Sequence, residues 1–245
     1  MELLVVTGII AMLMALVIPA FTNIKSGGDV TSAAYTIKGV LDTARTYAKA
    51  NNTYTWVGFC EENVSQPSPN SATPAIGRVV SSTVASNDGT MLYTGNLSSP
   101  VTLDPPNSAT LIQVGKLIKV DNVHLKSFAA GPGTGSTFDT RPAFGSTAAQ
   151  IGDTTPPTPS LTFHYPVASS SPQYTFTKVV QFSPRGEGVV DNSNYALTSL
   201  SEIGVQASHG TALAATVDPV TGKYLGNLVA IQFGGVGGNV TIYRR

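Results

Sequence analysis

The chain has 245 residues, only 11% of which are charged, and its 14 Lys and Arg balance its 14 Asp and Glu. A neutral, charge-poor surface argues against nucleic acid as the main partner, because binding phosphate requires clustered cations. The single cysteine, Cys60, excludes a disulfide within one chain. We expect it to be a small buried hydrophobic side chain, and the 24 Gly and 16 Pro favour a turn-rich β domain.

The first part of the chain is an apolar run, residues 3–21, which contains no charged residue. As a helix it would span about 28 Å, close to the thickness of a bilayer core. It is apolar on every face, unlike an amphipathic helix that covers a soluble domain. Glu2 at the edge of the run and Pro19 inside it do not fit a plain membrane anchor. A single-span anchor and an uncleaved signal peptide are the alternatives to be weighed.

This segment resembles the N-terminal helix of type IV pilins and type II secretion pseudopilins. The resemblance rests on Glu2-Leu3-Leu4-Val5-Val6, on Ile18-Pro19-Ala20-Phe21 and on the spacing from Glu2 to Pro19. It implies a helix that rests in the bacterial inner membrane and then packs into the core of an extracellular filament at the cell surface. It also implies that Glu2 pairs with the N-terminal amine of a neighbouring copy, although Glu2 lies nearer the start than the family glutamate. Glu2, Gly8 and Pro19 are therefore the expected assembly residues.

Three segments are expected: an apolar helix over residues 1–28, an amphipathic helix over 29–52 and a β-rich head over 53–245. Gly27-Gly28 predicts either a bend or a continuous helix with a soft joint. The expected fold class is α+β, in which one long N-terminal helix packs on a C-terminal antiparallel sheet. The apolar positions of the second segment recur at steps of three and four residues: Val30, Ala33, Ala34, Ile37, Val40, Leu41, Ala44, Tyr47 and Ala48.

The end of the amphipathic segment resembles the minor-pseudopilin branch of the same family. There an A-R-x-x-A helix end, here Ala44 to Ala48, leads into the first strand. The resemblance gives Arg45 a structural role, closing the helix against the sheet. Residues 180–187 and a C-terminal hairpin with a glycine-rich turn extend the resemblance more loosely.

The head is predicted to consist of strands separated by turn clusters. A tight turn at Asp88-Gly89 would pair two of them. Residues 64–74 form a polar loop, and residues 195–205 are ambiguous between a short helix and a strand. The Gly/Pro/Ser/Thr-rich stretch near 129–160 is either an ordered surface insertion or a mobile loop, and it is the first candidate for subunit-specific contacts. The predicted strands are 54–59, 78–84, 90–93, 111–114, 117–128, 161–165, 174–182, 228–233 and 239–243.

The sequence contains no recognisable motif for catalysis, metal binding or cofactor binding. Gly222-Lys223 is followed by Tyr224 where a phosphate loop requires Ser or Thr, and no helix follows the glycines of 131–135. No G-x-S-x-G elbow supports a serine nucleophile. We therefore expect no enzyme activity, no metal and no cofactor. The residues that were considered for metal binding are His124, His164, His209, Asp139, Asp153 and Asp191.

Arg244 and Arg245 form a terminal basic pair. Some minor pilins bind DNA through such residues, so a DNA contact stays open, with solvated side chains as the alternative. The leading hypothesis is a structural, pilin-like subunit of a type IV pilus-like filament. Its partners would be copies of itself and the assembly machinery. The alternatives are a minor pilin at the filament tip, for assembly initiation, type II secretion or DNA uptake, and a membrane-anchored exported binding protein or enzyme.

Overall fold

The computed structural model describes residues 2–67, 75–93, 97–153, 160–190 and 200–245, without the side chains of residues 2–4, 15–26 and 147. Its α-helix, α1 (Glu2–Ala50), is continuous through Gly27-Gly28. Each of these glycines costs about 1 kcal/mol in a helix interior. The hydroxyl of Thr31 donates to the Gly27 carbonyl at 2.6 Å, one turn back. Of the two possibilities at this joint, the structure has the continuous helix.

The second half of α1 buries one face against the head. The buried positions follow the predicted steps of three and four residues, while Tyr47 is only half-buried. Two polar contacts reinforce this packing: the Thr55 hydroxyl donates to the Ala44 carbonyl at 3.1 Å, and Lys38 Nζ donates to the Val240 carbonyl at 2.9 Å. The buried apolar residues of this face are Val30, Ala33, Ala34, Ile37, Val40, Leu41, Ala44 and Ala48.

The rest of the described chain is built almost entirely of strands and loops. Two short 3₁₀ helices, Phe138–Thr140 and Thr147–Ala149, interrupt it. The strands are β1 (Thr55–Asn63), β2 (Gly77–Ser86), β3 (Val101–Thr102), β4 (Leu111–Gln113), β5 (Ile118–Leu125), β6 (Gln150–Ile151), β7 (Leu161–Tyr165), β8 (Tyr174–Phe176), β9 (Lys178–Phe182), β10 (Gly188–Val189), β11 (Leu200–His209), β12 (Ala212–Leu213), β13 (Leu228–Gly234) and β14 (Val240–Arg244).

These strands form two sheets. The main sheet has 11 strands, in the order β10-β9-β1-β2-β5-β11-β13-β14, with β4, β6 and β12 attached at its sides. Its pairings are antiparallel except that β6 runs parallel to β11. The second sheet has 3 strands in the order β3-β7-β8, and β3 runs parallel to β7.

The predicted α+β fold class is wrong. The described chain is mainly β, its strands form two sheets instead of one, and two of the strand pairs are parallel. The reason is that the main sheet has apolar side chains on both faces, and each face needs its own cover. The second half of α1 covers one face. The other face is covered by aromatic residues of the second sheet, Phe163, Tyr174 and Phe176, which pack against Trp56.

The individual strand predictions had mixed outcomes. Those at 54–59, 78–84, 111–114, 117–128, 161–165 and the closing hairpin of β13 and β14 are confirmed. The predicted strand 90–93 is wrong, because β2 pairs with β1, β4 and β5 instead. The predicted strand 174–182 is two strands, β8 and β9, in different sheets. Residues 200–205 belong to β11, while 195–199 and 68–74 lie outside the described residues.

The described part of the Gly/Pro-rich stretch, residues 129–153, is an ordered insertion that packs on the main sheet. Phe138 makes edge contacts with Phe128 and Tyr224, at ring-centroid distances of 5.1 and 5.2 Å. Arg141 reaches the middle of the main sheet and pairs with Glu202 of β11. Residues 154–159 lie outside the described residues.

Candidate assembly surface

The first half of α1 exposes a continuous set of large apolar side chains. Met12 is 71% exposed, and none of the seven such residues between positions 5 and 14 is less than 50% exposed. A contiguous exposed patch of this kind marks an interaction surface in most folded proteins. We call these residues the apolar helix surface: Val5, Val6, Ile9, Ile10, Met12, Leu13 and Met14.

The three expected assembly residues all lie in α1. Gly8 is exposed within the apolar helix surface, and a Cβ added there would meet no atom within 4 Å, so its small size is not required by the fold of one chain. Pro19 does not end the helix. The side chains of Glu2 and Pro19 lie outside the described residues, so their roles in assembly stay predictions.

The transition between the two halves of α1 occurs at Gly27. A Cβ added at Gly27 would lie 3.3 Å from the side chain of Asn227, which precedes β13. From Val30 onward, one face of the helix is buried. The same helix therefore presents exposed apolar residues on one side of this joint and a packed face on the other.

The prediction that this helix spans the inner membrane before assembly is not supported. Among the residues that the structure describes, no helix is long and apolar enough to cross a bilayer. The predicted transmembrane helix is therefore wrong. The predicted localisation is therefore wrong as well. It placed the chain in the inner membrane before assembly and then in an extracellular filament at the cell surface.

The two terminal arginines have different surroundings. Arg244 ends β14 and is exposed beside a shallow groove that Gly28, Tyr35 and Asn227 also line. Arg245 forms an ion pair with Asp139, with its Nη1 3.0 Å from the Asp139 Oδ1. The structure therefore does not bring them together as a basic patch.

Two of the three histidines pair with carboxylates. His124 Nδ1 lies 2.9 Å from Glu61 Oε1, and His164 Nδ1 lies 3.0 Å from Asp104 Oδ1. These partners are 63 and 60 residues apart in sequence, which is why no local motif indicated them. His209 is exposed. In the described parts of the chain, no three His, Cys, Asp or Glu side chains come together as a metal site.

The other described residues that were considered as site residues from the sequence make contacts that stabilise the fold. Asp153 accepts hydrogen bonds from Lys126 and from the Ser127 backbone; burial alone would raise its pKa, but these contacts lower it to about 2. The turn at Gly222 is closed by a hydrogen bond from its own N–H to the Asp218 carbonyl, at 2.8 Å. Burial and the nearby Glu62 and Glu61 raise the pKa of Cys60 to about 12, so its thiol stays protonated. Asp191 lies outside the described residues.

Sequence reasoning missed the charged groups that are buried inside the head. Glu62 is buried and meets Arg78 Nη1 at 3.2 Å, Lys119 Nζ at 3.3 Å and the Tyr174 hydroxyl at 2.9 Å. Each of these partners comes from a different strand, so only the fold brings them together. The contact with Tyr174 of β8 joins the second sheet to the main sheet.

Comparison with known proteins finds no family model that matches the chain, no similar curated protein and no similar solved structure. The pilin resemblance thus rests on the residues of the first segment and on the motifs quoted with it.

Proposed function

We propose that the protein is a structural, pilin-like subunit that assembles into a helical filament with copies of itself through the first half of α1. The observation that carries the proposal is the apolar helix surface, which is exposed on a helix whose continuation is packed into the head. Such an arrangement lets one element join neighbouring subunits without disturbing the β core.

The energetics favour contact with more than one copy. Covering a large apolar side chain contributes about 1.5–3 kcal/mol. Covering about half of the apolar helix surface would therefore contribute on the order of 5–10 kcal/mol, similar to the cost of association alone. A stable assembly follows when the helix contacts several neighbours, as it would in a bundle of helices.

The test places charge on the apolar helix surface. The double variant Ile9→Lys/Leu13→Lys should lose filament formation, because two buried and unpaired ammonium groups would oppose helix contacts. The matched control is Val220→Lys, since Val220 is 90% exposed in the head and far from positions 9 and 13 in the chain. Electron microscopy of the purified full chain after removal of detergent, with sedimentation, would report assembly.

Folding of the head is monitored separately through the fluorescence of Trp56, which is buried and is the only tryptophan. The expected result is unchanged Trp56 emission in both variants, with filaments lost only in the double variant. Filaments of normal yield and length from Ile9→Lys/Leu13→Lys would refute the proposal.

A further inference from the structure

A cleft opens where β1 and β8 diverge. β1 pairs with β9 only from Thr55 to Phe59, but it pairs with β2 as far as Asn63. Before β9 the chain leaves the main sheet at Thr177 and continues back into β8 of the second sheet. The space left beside the end of β1 has a volume of about 470 Å³, which is within the range of pockets that hold small organic ligands.

Lys178, the first residue of β9, lines this cleft. It is half-buried, and its amine donates a hydrogen bond to the Gly152 carbonyl. Its polar partner is therefore neutral. By contrast, Lys38, Lys119 and Lys126 each form an ion pair with a carboxylate. Within the described residues, no carboxylate forms an ion pair with Lys178.

Burial makes the charged form of the Lys178 amine less favourable than it is in water. Burial lowers the pKa of Lys178 and outweighs the opposite effects of Glu61, Asp153 and Cys60. A half-buried lysine without a paired anion is the type of lysine that reacts with carbonyl groups in proteins. Glu61 lines the cleft and makes it unfavourable for an anionic ligand, so an uncharged ligand fits better than an anionic one.

We propose that this cleft captures a small uncharged aldehyde, and that Lys178 binds it covalently as an imine. The Nζ lone pair attacks the carbonyl carbon and a C–N bond forms. Both amine protons leave with the carbonyl oxygen as one water molecule, and no oxidant or reductant is needed. Gln173, Thr175 and Thr177 line the cleft with amide and hydroxyl groups, while Pro172 provides an apolar contact.

The position of Lys178 in the sheet suits this role. Its Cα is paired with that of Phe59 across the antiparallel strands, so its backbone is fixed by the ladder. The neighbouring Cys60 thiol is protonated and therefore does not compete for the aldehyde as a thiolate. None of the residues that line the cleft belongs to the apolar helix surface, so labelling of Lys178 can be tested on the unassembled chain.

The probe is pyridoxal, a neutral aldehyde, applied in limiting amount with cyanoborohydride to the full chain in an uncharged detergent. Peptide mass spectrometry then measures labelling at each lysine. Lys178 should be labelled about tenfold faster than the exposed Lys116 and Lys223 for each unit by which its pKa is lowered, because the uncharged fraction rises by that factor. Lys178→Arg should abolish the fast phase, and Lys223→Arg should leave it unchanged.

Two further arms identify the chemistry. Pyridoxine, which has an alcohol in place of the aldehyde, should give no imine absorbance and no label. Pyridoxal phosphate, which adds negative charge, should lower the ratio of Lys178 to Lys223 labelling relative to pyridoxal. Equal labelling of Lys116, Lys178 and Lys223, a fast phase that survives in Lys178→Arg, or a higher ratio of Lys178 to Lys223 labelling with the phosphorylated probe would each overturn the proposal. Unchanged Trp56 emission in Lys178→Arg would show that the head is folded.

Discussion

Replacing Glu202 by Gln should cause one of the largest losses of stability available in this head. The carboxylate accepts from Arg141 Nε at 2.6 Å and from Arg141 Nη2 at 2.9 Å. Gln150 and Gln232 donate to the same carboxylate at 3.1 and 2.8 Å. The side chains of Arg141 and Glu202 are 1% and 0% exposed. The substitution would leave the guanidinium buried without its counter-charge.

The expected cost of Glu202→Gln is about 3–5 kcal/mol, the range for removing one partner of a buried ion pair. A domain of ordinary stability has about 5–15 kcal/mol in total. Arg141 would keep its hydrogen bond to the Phe138 carbonyl at 2.8 Å and its position 4.6 Å from the Phe138 ring centroid. These contacts position the charge without neutralising it. The double variant Arg141→Met/Glu202→Met should cost less than the sum of its single variants, because it removes both charges.

Urea unfolding of the full chain, followed by Trp56 fluorescence, measures these free energies. Trp56 suits the assay because it is fully buried and its indole N–H donates to Gln181 Oε1 at 2.9 Å. The control is Arg185→Met, which removes a charge from a side chain that is 84% exposed. A loss below about 1 kcal/mol for Glu202→Gln would fall in the range of ordinary substitutions. That result, or additive costs in the double variant, would refute the reasoning.

Three other predictions follow from single residues. Glu2→Ala should reduce filament yield without changing Trp56 emission, because a buried carboxylate would favour only the register in which it is paired; normal yield by electron microscopy would contradict this. Asp153 has a folded pKa of about 2 against an ordinary 3.8, so its stabilising effect should be complete above pH 3.8 and be lost as the pH falls through about 2. Asp153→Asn should remove that part of the pH dependence in acid unfolding, and an unchanged profile would exclude the ion pair with Lys126 as its source. Cys60 should resist iodoacetamide at neutral pH until urea unfolds the chain, since burial keeps the thiol protonated; rapid alkylation of the folded chain would show an accessible thiolate.

Local patterns predicted the elements whose neighbours are close in sequence. Val30, Ile37 and Leu41 recur at helical steps, and all three are buried on one face of α1. β13 and β14 are rich in β-branched and aromatic residues and are joined by a short glycine-rich turn, so their antiparallel pairing could be predicted. In each case the information lies within a few residues, where periodicity is a strong signal.

Contacts between distant residues could not be predicted in the same way. Arg141 and Glu202 are 61 residues apart, and nothing in either local sequence indicates the other. The cleft beside Lys178 exists because the chain changes sheets at Thr177, within a stretch that reads as one continuous strand. Strand order and sheet membership depend on the packing of the whole chain, so periodicity alone does not determine them.

The polar contacts between α1 and the head bear on how a filament of such subunits would carry force. Lys38 holds the edge strand β14 through the Val240 carbonyl, and Thr55 holds the other part of the helix through the Ala44 carbonyl. The buried face of the helix, which runs from Val30 to Ala48, packs against the main sheet on both sides of these contacts. A pull on the first half of α1 would therefore be transmitted to several strands at once. Gly28 is exposed and precedes Val30, the first apolar residue of the packed face, so we expect the helix to yield at Gly28 before the head unfolds.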